Sequence, residues 1–189
     1  TVLSADNSYE GGTTITAGTL SVGVDTNLGA ATGALTLDGG TLQTTASFTT
    51  AREVEISAGN GTFQTDAGTT LTGAGVITGA GALTKAGDGV LVLTAANTYV
   101  GGTTISEGTL QIGDGGTTGT IVGDVLDNAT LAFNRSDAVT FAGAISGTGA
   151  VTQMGSGSTT LTAENTYTGG TTISSGTLQI GDGGTSGSI

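Results

Sequence analysis

The chain has 189 residues, 37 of them glycine, and contains no proline, cysteine, histidine or tryptophan. Three basic residues against fifteen acidic ones give a net charge of −12, which excludes the basic footprint of a nucleic-acid binder and disfavours adhesion to anionic lipid. The absence of Cys and His excludes the common zinc sites and nucleophile–base pairs, while 35% apolar content is too high for a disordered glycine-rich tract.

In chain order, the first recognisable phrase is Asn7-Ser8-Tyr9-Glu10-Gly11-Gly12-Thr13-Thr14-Ile15, followed by Thr19-Leu20-Ser21-Val22-Gly23. Asp38-Gly39-Gly40 then reads as a tight turn, because glycine supplies the positive φ that such turns need. Glu53 and Glu55 occupy alternate strand positions and read as a solvated face. Short segments rich in β-branched and aliphatic residues predict strands over 90–94, 103–106, 109–112, 129–133 and 139–142. No helix of ordinary length survives the glycine spacing, since each interior glycine costs about 1 kcal/mol against alanine. In Thr109-Leu110-Gln111-Ile112 the alternation turns Leu110 and Ile112 inward and Thr109 and Gln111 outward, and it places Leu20 and Leu178 inside in the same way. Asp88-Gly89, Asp114-Gly115-Gly116 and Asp182-Gly183-Gly184 supply further turns.

The opening phrase returns at Asn97 to Gly113 and again at Asn165 to Gly181. Gly75 to Ile121 aligns with Gly143 to Ile189 without a gap, and 32 of the 47 positions are identical. Glycines and apolar positions are kept, as in Gly79 against Gly147 and Leu93 against Leu161, whereas Lys85 against Gln153 reads as surface drift. Such repetition marks a stack of similar units, in which one strand lies above its copy. With coils of about 22 residues, the 68-residue interval between Tyr99 and Tyr167 is about three coils and the 90-residue interval between Tyr9 and Tyr99 about four. The expected architecture is an all-β parallel β-helix of eight or nine coils, a rod of roughly 40 Å. Both ends of the chain fall in the middle of a unit. Residues 1–189 are therefore read as a single solenoid segment of a longer array, with repeat signatures at 3–23, 93–113 and 161–181, and with any signal peptide, cap or anchor outside it.

Leu-Thr-Ala-x-Asn-Thr-Tyr-x-Gly-Gly-Thr-Thr-Ile-Ser-x-Gly-Thr-Leu-Gln-Ile-Gly, at Leu93 to Gly113 and Leu161 to Gly181, resembles the passenger-associated repeat of bacterial autotransporters. The Gly-Asp-Gly-Gly-Thr-x-Gly-x-Ile that follows, at 113–121 and 181–189, resembles the continuation common in the same proteins. The resemblance implies a right-handed β-helix, exported through the outer membrane of a Gram-negative bacterium and anchored at the cell surface or released. It also implies the role of a structural stalk in a surface adhesin, spacing or presenting regions that meet host or neighbouring cells. A self-associating surface filament or biofilm-matrix protein is the alternative, and a carbohydrate-active β-helix enzyme is a remote one.

The residues argue against chemistry in this segment. Carbohydrate-active β-helices use clustered carboxylates with a nearby base, and the bases here are only Arg52, Lys85 and Arg135. The carboxylate pairs are Glu53/Glu55 and Asp124/Asp127. No catalytic or cofactor-binding residue is assigned, and no cofactor is expected. Calcium-binding solenoids need Gly-Gly-x-Gly-x-Asp in tandem; Asp114 and Asp182 stand in the reverse order and read as turn residues that bond local amides, so no metal residue is assigned either. Tyr9, Tyr99 and Tyr167 are read as packing over turns rather than forming a glycan-binding stripe. No apolar run is long enough to insert in a bilayer, and the segment offers no ligand-binding residue by motif.

Overall fold

The computed structural model describes all 189 residues as short strands that turn at glycine-rich corners and lie in parallel on the strand one coil earlier. Three faces result. The first is an eight-stranded sheet that runs from Val2–Leu3 through Thr19–Val22, Leu83–Ala86 and Thr103–Ile105 to Ile145–Ser146. The second is seven-stranded, from Phe48–Thr50 through Thr109–Ile112 to Thr171–Ile173. The third comes in two pieces: a four-stranded sheet from Thr13–Ile15 to Ile77–Thr78, and a three-stranded sheet of Ala138–Phe141, Ser158–Leu161 and Thr177–Ile180. The Ala96–Thr120 bridge lies between those pieces. The fold is a parallel β-solenoid of about 9 turns, and its one helical element is a 3-10 turn at Asp25–Leu28.

The expected strands form within a residue or so of their predicted limits, as Val90–Leu93, Thr103–Ile105, Thr109–Ile112, Thr130–Phe133 and Ala138–Phe141. Their alternation builds the core. Leu110 is fully buried, stacked on Leu91 and under Leu131 in a column that continues through Leu71 to Phe48 and up to Val151. Such in-register stacking of like residues is what a solenoid selects. Twenty-seven buried residues make one continuous apolar core.

The structure corrects the expected coil geometry. Paired residues one coil apart differ by between 19 residues, as at Val2–Ser21, and 24 residues, as at Ala96–Thr120, so many coils are shorter than about 22. The copies of the repeat therefore do not lie above one another. Thr13–Ile15 belongs to the third face, Thr103–Ile105 to the first, and Thr171–Ile173 to the second. The chain visits the faces in the order first, second, third, so each copy has advanced by whole coils plus one face. The 68-residue interval is three coils and one face; the 90-residue interval is four and one face.

Kept glycines hold the corners. Gly79 has φ 114° and its copy Gly147 φ 105°. A Cβ would lie 2.1 Å from Ile56 O at the first and 2.2 Å from Asp127 O at the second. Both the dihedral and the approach of the coil below demand glycine there.

Candidate functional site

The three basic side chains, the residues best suited to pair with catalytic carboxylates, all point into the rod. Arg52 is 3% exposed. Its Nε donates to Asp25 Oδ1 at 2.9 Å, and its Nη atoms donate to the carbonyls of Gly29, Ala30 and Gly33 at 2.7, 2.6 and 2.9 Å. Arg135 repeats the arrangement. It pairs with Asp137 at 2.7 Å and donates to Thr117 O at 2.6 Å and Gly119 O at 2.8 Å. Each arginine reaches down to the excursion that follows a repeat in the coil below, where a stretch between strands leaves carbonyls without ladder partners. The planar guanidinium fork suits such convergent acceptors. Its hydrogen bonds hold Asp137 below the usual carboxylate range.

Lys85 is fully buried, between Phe63 below and Ile105 above. Its Nζ donates to the carbonyls of Ala86, Gly87 and Glu107 at 2.8, 2.6 and 3.2 Å. Gln153, its copy, is also buried, and its Nε2 donates to Gly155 O at 2.9 Å. The Lys85–Gln153 difference is therefore not surface drift. Both residues satisfy carbonyls left at a corner where a strand ends, because the turn aims them inward. Two neighbours change along with it: Asp88 becomes Ser156 and Glu107 becomes Ser175. Burial pushes the Lys85 pKa down to about 8, while Glu107 and Asp88 pull it up. A buried ammonium and its two carboxylates have been exchanged for three neutral residues.

Lys85→Gln alone leaves both carboxylates without their cation. The interaction of Lys85 with Asp88 and Glu107, read from a mutant cycle over K85Q, D88S and E107S, should be about 0.5 kcal/mol or less, because both carboxylates are exposed and act on the ammonium through space. The pH dependence has a definite sign. The folded pKa lies below the unfolded value of 10.5, so between about 8 and 10.5 the unfolded state binds more protons at Lys85 and this group's contribution to stability rises with pH. Buried Tyr99, whose pKa is raised, adds an opposing slope near the top of the window in both proteins, so thermal melts should show the parent gaining stability relative to Lys85→Gln as pH rises from about 8 to 10.5.

The two carboxylate pairs lie in different surroundings. Glu53 and Glu55 are exposed beside a shallow groove of about 350 Å³ lined by Ala34, Thr36, Val54 and Val76, and neighbouring Arg52 faces away into the rod. Asp124 is exposed and accepts from Ala144 N at 2.8 Å, whereas Asp127 is fully buried. Burial raises the pKa of Asp127; its Oδ1 accepts from Ala129 N, and its Oδ2 has no partner. Asp114 and Asp182 accept from Gly116 N and Gly184 N at 3.2 and 3.1 Å, the turn role expected of them. No cluster of three acidic or other metal-binding side chains occurs.

Of the tyrosines expected to pack over turns, Tyr99 is buried and Tyr167 half-buried, whereas Tyr9 is exposed. Tyr99 is fully buried and its hydroxyl lies 2.7 Å from Thr103 Oγ1; Tyr9–Thr13 and Tyr167–Thr171 repeat the contact at 2.8 and 2.6 Å. With each copy one face on from the last, the three rings share no face of the rod, and a tyrosine stripe is impossible. The motif asparagine has a role that sequence alone does not disclose. Asn97 Oδ1 accepts from Ile77 N at 2.9 Å, and its Nδ2 donates to Thr120 O at 2.9 Å, so one side chain stitches three coils. Asn165 does the same between Ile145 and Ser188.

A family model described as passenger-associated-transport-repeat matches residues 1–22, 83–112 and 151–180. The chain is 50% identical over 183 residues to the adhesin BmaC autotransporter of Brucella suis biovar 1 (strain 1330). The match covers 97% of this chain and 5% of that relative. No solved structure matches the chain.

Proposed function

Since the chain belongs to the autotransporter passengers built on passenger-associated repeats, we propose that it is a rigid, non-enzymatic spacer within a secreted, cell-surface adhesin. The observation that carries this reading is the use of every basic side chain as an internal clamp. Of the fifteen acidic residues, Asp25 and Asp137 pair with arginines and Asp127 is buried, which leaves twelve carboxylates at the surface and no basic side chain there. Single-sign charge keeps flat β surfaces apart, as a spacer among many neighbours requires. The BmaC relative is by name an adhesin, and binding to a host or neighbouring cell would then reside in the whole protein that this segment supports. Export from a Gram-negative cell and display at its surface belong to the same proposal.

Side-by-side association has one feature in its favour, an outward column of Thr19, Thr41, Thr62, Thr84 and Thr104 without charge. The surrounding carboxylates oppose it. Trypsin tests the spacer reading, because its only targets are the bonds after Arg52, Lys85 and Arg135. The folded chain should stay whole while the urea-unfolded chain is cut at all three. Cleavage of the folded chain at a rate like that of the unfolded one would overturn it. Concentration-dependent growth in sedimentation would favour the associating alternative.

A further inference from the structure

Asn60 is the one residue other than glycine with a left-handed backbone, at φ 68°, and Asn60-Gly61 is the only Asn-Gly pair in the chain. An asparagine followed by glycine is chemically the most exposed amide a protein carries, because no Cβ shields the next nitrogen. We propose that Asn60–Gly61 is a spontaneous deamidation site held shut by the coil above it. This inference rests on the fold and not on the spacer reading.

In the reaction, the Gly61 nitrogen attacks Asn60 Cγ and the Cγ–Nδ2 bond breaks. Ammonia leaves with the proton from Gly61 N, closing a succinimide. Water then opens one of the two ring carbonyls and gives aspartate or isoaspartate. Both reacting groups are occupied in the fold. Gly61 N donates to Ala82 O at 3.0 Å, and Asn60 Oδ1 accepts from Ala82 N at 2.8 Å. One residue of the next coil thus holds the nucleophile and the electrophile in place. From below, Gly39 N donates to Asn60 O at 2.6 Å. Attack needs the Ala82 contacts released, so it proceeds only through opening of that coil.

The two products differ in consequence. Aspartate keeps an oxygen for Ala82 N. Isoaspartate inserts a methylene into the main chain between the contacts to Gly39 and Ala82, so the coils on either side lose register. The site thereby converts a transient opening into a permanent lesion. The corner keeps asparagine because glycine would supply the dihedral but no bond to Ala82 N.

Peptide mapping for the amide-to-acid mass change and for isoaspartate at position 60 tests this on the whole chain in mildly alkaline buffer. Conversion in the folded chain should be slower than in urea by at least about tenfold, the protection expected when reaction requires local opening. Leu83→Ala, which empties a fully buried position beside Ala82, should speed it in the folded chain. Asn60→Asp should fold with the parent's ladder. Equal rates in the folded and urea-unfolded parent would overturn the proposal, as would a Leu83→Ala chain that folds and is protected as well as the parent.

Discussion

Leu110→Ala is expected to destabilise its coil by about 2–5 kcal/mol, the range for emptying a fully packed aliphatic site. Leu110 is fully buried, with Leu91 and Leu131 in register beneath and above it, so neither neighbour can move into the space without leaving its own ladder. Gln111→Ala, one residue on, should cost only about 0.5–1 kcal/mol, for the loss of one partly exposed hydrogen bond. That bond, from Gln111 Nε2 to Gly113 O at 2.8 Å, is the reason the cost is not nil. Nearest-neighbour stacking confines the damage. Hydrogen exchange should quicken around Leu91, Leu110 and Leu131 and remain slow near Leu42. Equal effects from the two substitutions would mean that inside and outside have been exchanged.

Arg52→Met should be the most damaging change at a charged residue, at about 3 kcal/mol. Removing one partner of a buried pair costs about 3–5 kcal/mol, and the 21% exposure of the Asp25 side chain places this case at the lower end. The substitution retains the aliphatic stem but removes the guanidinium from the carbonyls of Gly29, Ala30 and Gly33, of which Ala30 O keeps its bond from Gly33 N. The loss should appear as rapid amide exchange at Ala30 and Gly33, within the excursion that carries the 3-10 turn. Exchange at Leu110 should not change. Arg52→Lys should recover only part of the stability, because an ammonium cannot reproduce the planar fork.

The inward set was legible because Thr-Leu-Gln-Ile alternates cleanly, and the solenoid was legible because the phrase recurs. The face on which each copy lands was not. A coil of about 22 residues makes 68 nearly three coils, whereas the observed range of 19 to 24 lets the same interval end one face further on. Corners absorb a residue or two without disturbing the strands, so counting residues cannot fix the azimuth. Lys85 was misleading for a different reason. An exchange of Lys for Gln between copies reads as surface drift, yet the carbonyls left at a solenoid corner converge inward and recruit donors. One signal was available: Lys85, Asp88 and Glu107 change together to Gln153, Ser156 and Ser175, and solvated residues have no cause to change in concert. The stitching by Asn97 had no such signal, since its partners Ile77 and Thr120 are backbone groups one coil away on either side.

The advance of each repeat copy by one face is best tested by disulfide closure, for which the cysteine-free chain is an ideal background. Thr152 and Thr172 are paired on the second face, so their Cα atoms should lie about 4.8 Å apart, within the span of about 4.4–6.8 Å that a disulfide bridges. If the third copy lay directly over the second, Thr172 would continue the column of Thr104, Leu126 and Ser146 instead. Under mild oxidation, T152C/T172C should close an intramolecular bridge and S146C/T172C should remain reduced. Closure of the second pair and not the first would contradict the account.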